Sequence, residues 1–93
     1  MIPQPAHPWI PYSEMNDEHQ RKAAFVTECL EPMFVRATNE WVKSMRYTVS
    51  AESVEEVVWI EVAGEVFLRA NVTGDSEWAI CKDVLKALEE KYE

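Results

Sequence analysis

An α+β domain in two layers is predicted by the sequence, with a three-stranded antiparallel sheet, one helix before it and one after it, both packed on one face, in the order αβββα. Within Val54–Thr73, two runs of β-branched, aromatic and aliphatic residues flank Ala63-Gly64-Glu65, which is typical of a β-hairpin. Residues 45–51 alternate as a third strand, and helical spacings lie on either side of this region. The 93 residues fit a single domain.

The N-terminal segment is predicted to be an extended arm, residues 1–12, in front of the domain, residues 13–93. Four of the five prolines lie in it, at Pro3, Pro5, Pro8 and Pro11. Proline fixes its own backbone and excludes helix here. Because Trp9, Ile10 and Tyr12 are poor residues for a solvated tail, we expect the arm to pack on the domain or on a partner.

The first helix is predicted from about residue 16 to 38, with Ser13 or Asn16 as its N-cap. Apolar residues recur at spacings of three and four and form a stripe that consists of Val26, Cys29, Leu30, Met33 and Ala37, widened by Phe25 and Phe34. Pro32 lies inside this helix and should kink it or split it in two, since proline removes one backbone hydrogen bond.

The first strand follows from strict alternation. One predicted face carries Met45, Tyr47, Val49 and Ala51, and the other carries Arg46, Thr48 and Ser50. This is the period of a half-buried strand. Trp41 and Lys43 continue the parity, which leaves the start of the strand open.

The hairpin is predicted to turn through a three-residue loop, Val62-Ala63-Gly64, with Gly64 as the left-handed residue. An odd-length loop places on one face Val58, Ile60, Val66, Leu68, Ala70 and Val72. The opposite face then carries Val57, Trp59, Glu61, Phe67, Arg69, Asn71 and Thr73. In this loop Trp59 and Phe67 are cross-strand neighbours.

The last helix is predicted to start after Gly74, with Asp75 or Ser76 as its cap and Glu77 in its first turn. Its apolar stripe recurs at spacings of 3, 4, 3 and 4, at Trp78, Cys81, Leu85, Leu88 and Tyr92, with Val84 alongside. One shared core is therefore expected to contain Val58, Ile60, Leu68, Leu85 and Leu88.

Catalytic, metal and cofactor sites are not indicated. The two glycines lie ten residues apart and cannot form a glycine-rich phosphate loop. His7 falls in the arm and His19 among polar residues, while Cys29 and Cys81 lie on apolar helical faces. We expect both cysteines to be buried free thiols that could approach each other if the helices pack side by side. The protein is predicted to be no enzyme and to hold no cofactor and no metal.

Charge and hydropathy narrow the class of partner. No apolar run approaches the roughly 20 residues that cross a bilayer, and the N-terminus has no basic start, so a cytoplasmic protein without membrane contact is expected. The net charge of -8 disfavours direct binding to nucleic acid and favours a basic protein surface. Charge that serves solubility alone is the alternative.

The sheet face away from the predicted helices is the first candidate binding surface. It carries Trp59, Phe67 and Arg69, a composition similar to that of interface hot spots. The alternative is that the arm folds over this face, through Trp9 or Tyr12, and buries it.

An acidic ridge along the hairpin is the second candidate. Between Tyr47 and Leu68 the chain has no Lys or Arg but contains Glu52, Glu55, Glu56, Glu61 and Glu65. These carboxylates could mimic the phosphates of nucleic acid or dock on a basic groove. A solvated loop and a strand edge protected by charge is the alternative interpretation.

The function predicted from these features is that of a non-enzymatic inhibitor or adaptor that docks on a basic surface of a larger protein. Small acidic phage proteins that block nucleic-acid-handling defence enzymes share this size and charge, so such an enzyme is one class of partner. The alternative is a homodimeric chaperone-like or scaffold protein that uses the exposed sheet face. A monomer in solution favours the first prediction, and a stable dimer the second.

Overall fold

The predicted order of elements is confirmed by the computed structural model, which describes residues 9–64 and 66–92, with only the backbone of Val66 and Tyr92. After a short 3-10 turn at Tyr12–Glu14 the elements are α1 (Asp17–Phe25), a π-helical turn (Val26–Leu30), α2 (Glu31–Ala37), β1 (Val42–Val49), β2 (Glu56–Val62), β3 (Val66–Asn71) and α3 (Glu77–Tyr92).

The sheet is antiparallel with the order β1-β2-β3, so β2 is central. The first helix packs along β1, and α3 packs on β3. Both helices lie on one face of the sheet, because a single core joins helical side chains such as Val26 and Val84 to Val49, Val58 and Ile60. We call this the inner face, and the opposite one the outer face.

The hairpin loop has an odd length, as predicted. Val62 pairs with Val66, so three positions separate the paired residues and the loop starts at Ala63, one residue later than expected. Gly64 has a φ of 88°, a left-handed conformation that glycine adopts without a side-chain clash. No side chain changes face, because the later loop moves the strand pairing by two residues.

The predicted pairing of Trp59 with Phe67 is wrong. Trp59 lies opposite Arg69, and Phe67 lies opposite Glu61. An apolar pattern of period two cannot distinguish registers that differ by two residues, since both keep the same residues on the inner face.

The first helix begins at the predicted cap, Asn16, whose side chain accepts a hydrogen bond of 2.7 Å from the backbone N–H of His19. Pro32 does not split it, because the chain widens into the π-helical turn just before the proline. There the N–H of Glu31 donates to the carbonyl of Val26, five residues earlier. A π-helical turn inserts one extra residue, which accommodates the proline without ending the helix.

This turn changes which side chains are buried. A row of buried positions follows steps of four, at Lys22, Val26, Leu30 and Phe34, and Ala23 is buried beside it. In a regular α-helix such a row would rotate by about 120° over three steps, and the wider turn compensates for that rotation. Cys29, Met33 and Ala37 are therefore exposed, and their predicted place in the buried stripe is wrong.

The predicted alternation of β1 holds for Met45, Tyr47 and Val49, which are buried. It fails at both ends. The pairing shifts between Val42 and Ser44, and Ala51 lies exposed in the turn after the strand.

The buried face of α3 also differs from the prediction. Ser76 caps this helix by accepting from the N–H of Ala79. The residues that face the sheet are Ile80, Val84 and Leu88, whereas Trp78 is 73% exposed and Leu85 is 45% exposed. The helix is thus rotated by roughly 70° from the predicted orientation.

The expected core consequently loses Leu85. Val58, Ile60 and Leu88 are buried in one cluster, and Leu68 packs against it partly buried. A second row of apolar residues, Ile80, Val84 and Leu88, recurs at spacings of four and packs against the sheet instead. The β-branched side chains of Ile80 and Val84 are completely buried there.

The described end of the arm pairs with the domain. Trp9 forms an isolated antiparallel bridge with Ser50, and the N–H of Ile10 donates to the carbonyl of Val49 at 2.9 Å. The rest of the arm, residues 1–8, lies outside the described residues. Nowhere in 9–64 or 66–92 is a helix both long and apolar enough to cross a membrane.

Candidate functional site

The centre of the outer face is a row of three side chains across the strands. Trp59 on β2 lies between Arg46 on β1 and Arg69 on β3. The Arg69 guanidinium carbon is 5.4 Å from the centroid of the Trp59 ring, within cation–π range. The alternation of β1 predicts Arg46 on this face, but only the strand pairing reveals that it adjoins Trp59.

Trp59 is held in place on two further sides. Its indole N–H donates to Thr48 Oγ1 at 2.9 Å. The ring of Trp9 stands edge-on to it, with centroids 6.0 Å apart. Only 6% of Trp59 is exposed. At Trp59 the alternative prediction therefore holds: the arm covers this side chain through Trp9, and Trp59 is not exposed to a partner.

The rest of the outer face remains accessible to different degrees. Phe67 packs half-buried against the cluster of Val57 and Trp59, and Arg69 is exposed. A small pocket of about 130 Å³ opens beside them, with Trp9, Trp59, Arg69 and Glu55 among its lining residues. Whether these side chains bind a partner stays a prediction.

The predicted acidic ridge is not one surface. Glu52 is exposed, but Glu55 is half-buried and accepts from Asn71 Nδ2 at 3.1 Å. Glu61 is half-buried and accepts from Ser44 Oγ at 2.9 Å. Glu65 lies outside the described residues.

Glu56 departs most from the prediction, because it is only 5% exposed. Its carboxylate accepts from Lys22 Nζ at 2.9 Å and from the Tyr47 hydroxyl at 2.6 Å through Oε1, and from the N–H of Gly74 at 2.9 Å through Oε2. The strand period indicates this inward position, since Glu56 shares its parity with Val58 and Ile60.

Electrostatics favour the charged form of Glu56. Burial, the largest influence, would raise its pKa, but hydrogen bonds from Gly74, Tyr47 and Lys22 together outweigh it and lower the pKa below the ordinary value. Burial and the adjacent Glu56 raise the pKa of Tyr47, so the phenol stays protonated as a donor. The cluster ties α1 to β1, β2 and the loop before α3, a structural role.

Two carboxyl groups, those of Asp75 and Asp83, lie close together near the start of α3. The pKa of Asp75 is raised to about 6, first by burial and then by a hydrogen bond and charge repulsion with Asp83. The charge of Glu56 adds to this rise, and Lys22 opposes it. The sequence gives no signal for this pair, because eight residues separate its members and no motif joins them.

This pair predicts a pH dependence. A pKa raised from 3.8 to about 6 means that the fold favours protonated Asp75, so its contribution to stability is complete below 3.8 and is lost as the pH rises through about 6. Asp83→Asn should remove the repulsion, raise the melting temperature at pH 7.5 and flatten its decline between about pH 4 and 6.5. Asp17→Asn, at an exposed position, is the control. Parallel melting curves for the parent and Asp83→Asn would contradict the assignment.

The cysteines are not both buried. Both cysteines are free thiols, but Cys29 is exposed and Cys81 is only half-buried, so the prediction of two buried thiols is wrong for Cys29 and holds only in part for Cys81. The π-helical turn explains this exposure. Within the part of the chain that the structure describes, no group of three or more His, Cys, Asp or Glu side chains is placed to hold a metal ion.

Comparison of the chain with protein-family models, with curated proteins and with solved structures finds no match in any of the three.

Proposed function

We propose that the protein is a non-enzymatic inhibitor or adaptor that docks its outer face on a larger protein with a basic surface. The observation that carries this proposal is the row Arg46–Trp59–Arg69, in which a rigid, buried tryptophan supports an exposed arginine. Arginine and aromatic side chains that are held in place before binding lose little conformational entropy in an interface.

Long-range and short-range charge have separate roles in this proposal. The net charge of -8 steers the whole molecule toward a basic surface. The contact surface itself is mixed, because Arg46 and Arg69 share the outer face with Glu61, and Glu55 lines the pocket beside Arg69. This mixture favours a protein surface over mimicry of a regular phosphate row.

The proposal extends to the class of partner and the compartment. A nucleic-acid-handling enzyme is one class of protein with a basic surface large enough for this domain. The free thiols of Cys29 and Cys81 suit the reducing cytoplasm. Anionic membrane lipid and free nucleic acid are not expected to bind, because the net charge of -8 repels both.

The first experiment compares variants of the outer face after the partner is captured from cells that express this chain. Arg69→Ala combined with Phe67→Ala should weaken binding by about tenfold or more, with the melting temperature nearly unchanged. Met33→Ala on the helical layer is the control, since Met33 is also an exposed large apolar side chain. Trp59 is avoided, because its truncation would leave a cavity under Trp9.

Charge steering gives a further prediction. The association rate should fall as the Debye length shrinks from about 30 to 8 Å with added salt. Glu52→Lys with Glu55→Lys should slow association more than Glu14→Lys with Glu28→Lys, which changes the net charge equally on the helical layer.

Equal rates for the two double reversals, or an association rate that salt does not change, would contradict docking through the outer face. Turnover of a small molecule by the purified protein would contradict the non-enzymatic assignment.

A further inference from the structure

The apolar stripe that α3 leaves uncovered is the starting observation. Trp78 and Leu85 are exposed, Cys81 is half-buried, and Leu88 is shared with the core. Their spacing of 3, 4 and 3 is that of the a and d positions of a heptad, which pack against another helix. This second stripe is not needed to cover the sheet, because Ile80, Val84 and Leu88 already do so.

A groove lies along the same stripe. Between the end of α2 and the second half of α3, a depression of about 750 Å³ is lined mainly by Phe34, Ala37, Trp41, Leu85 and Leu88. Apolar grooves between helices accept a further amphipathic helix with anchors at these spacings.

The charges beside the stripe indicate which helix fits. Lys82 and Glu89 are both exposed and lie seven residues apart on the same flank of α3. If two α3 helices meet antiparallel around a two-fold axis close to Leu85, Lys82 of each copy lies opposite Glu89 of the other. The stripe is therefore complementary to itself in apolar spacing and in charge, as an isologous interface requires.

We propose that two copies of this chain form a dimer through antiparallel α3 helices. Each Leu85 then packs against the edge of the groove that Leu85 and Leu88 form on the other copy. The outer faces of both copies then point away from the interface. The dimer is independent of the proposed docking surface, because the helices and the outer face lie on opposite sides of the sheet. Only a dimer formed through the outer face would favour the chaperone-like alternative. Two such faces on one particle would bind a multivalent partner with increased avidity.

The first test is the mass in solution, measured by light scattering after size-exclusion chromatography. The parent should give about twice the chain mass of 10.8 kDa. Leu85→Glu should give the single mass, with at least a roughly tenfold higher dissociation constant and an unchanged helical spectrum. Met33→Glu, which adds the same charge at a similarly exposed apolar position, should remain dimeric.

The orientation has its own test. Lys82→Glu and Glu89→Lys should each weaken the dimer, and the two together should restore it, because antiparallel pairing then joins the reversed charges. Leu85→Cys, with Cys29→Ser and Cys81→Ser, should cross-link two copies on oxidation, whereas Met33→Cys in the same background should not.

A monomeric parent at millimolar concentration, or a Leu85→Glu variant that stays dimeric, would overturn the proposal. A dimer that dissociates with Arg69→Ala and Phe67→Ala but not with Leu85→Glu would place the interface on the outer face instead. Partner binding that is retained in Arg69→Ala with Phe67→Ala, while this variant remains dimeric, would count against the proposed function alone.

Discussion

Replacing Glu56 by alanine should lower the free energy of unfolding by about 3–5 kcal/mol. The substitution leaves the buried ammonium of Lys22 with only the exposed carboxylate of Glu18, at 4.0 Å, as a counter-charge, and it removes the acceptor of the Tyr47 hydroxyl and the Gly74 N–H. Because a domain of this size has a stability of about 5–15 kcal/mol, the loss is a large part of the total. Urea titration followed by circular dichroism measures it.

Two controls separate the ion pair from ordinary truncation. Glu52→Ala, four residues away in the exposed turn, should change stability by less than about 0.5 kcal/mol. Lys22→Met combined with Glu56→Met should be less destabilised than the sum of the single variants, because neither charge is then buried alone. A loss below about 1 kcal/mol in Glu56→Ala would contradict the cluster.

Glu56 and Asp75 impose opposite pH dependences. A depressed pKa means that the contribution of Glu56 is present above its ordinary value of 4.5 and is lost as the pH falls through the folded value. Asp75 acts in the opposite direction, with stability lost as the pH rises toward about 6. Because the contribution of Glu56 is complete above 4.5 and that of Asp75 starts to fall above 3.8, the two groups together favour maximum stability at about pH 4.

The fold class could be predicted from the sequence because strand alternation and helical spacing are both local signals. The odd-length hairpin loop was predictable for a related reason: it alone places the aliphatic residues of β2 and β3 on one face. The exact pairing was not predictable. Moving the loop by one residue moves the pairing by two and leaves every face unchanged, so only the cross-strand partners, including that of Trp59, differ.

Helix orientation was harder to predict. The π-helical turn before Pro32 turns Cys29 and Met33 outward, and no propensity signals where such a turn forms. On α3, two apolar rows overlap at Leu88. The longer row, which has the predicted spacings of three and four, does not face the sheet.

The candidate site was only partly visible in the sequence. The outer position of Trp59 and Arg69 follows from alternation, but the cover by Trp9 depends on where the arm pairs. Glu56 was assigned to the surface by residue type, although its parity with Ile60 pointed inward. A charged residue is rarely buried unless it is paired with an opposite charge. The partner of Glu56, Lys22, lies 34 residues away on the first helix, so the sequence around Glu56 does not reveal it.

The observed orientation of α3 gives the last prediction, which compares two apolar residues on one helix. Ile80→Ala should lower the free energy of unfolding by about 2–5 kcal/mol, because Ile80 is fully buried against the sheet and the deletion leaves a cavity. Leu85→Ala should cost less than about 1 kcal/mol in a dilute, monomeric sample, since Leu85 is 45% exposed and alanine favours helix.

Protein concentration distinguishes the two effects. The loss in Ile80→Ala should be the same at every concentration, because the cavity lies within one chain. The loss in Leu85→Ala should grow as the concentration rises, because the parent then gains stability from association that the variant lacks. Equal losses in dilute samples, or a larger one for Leu85→Ala, would mean that α3 packs on the sheet through the row with heptad spacing, and the groove beside α2 would then not exist.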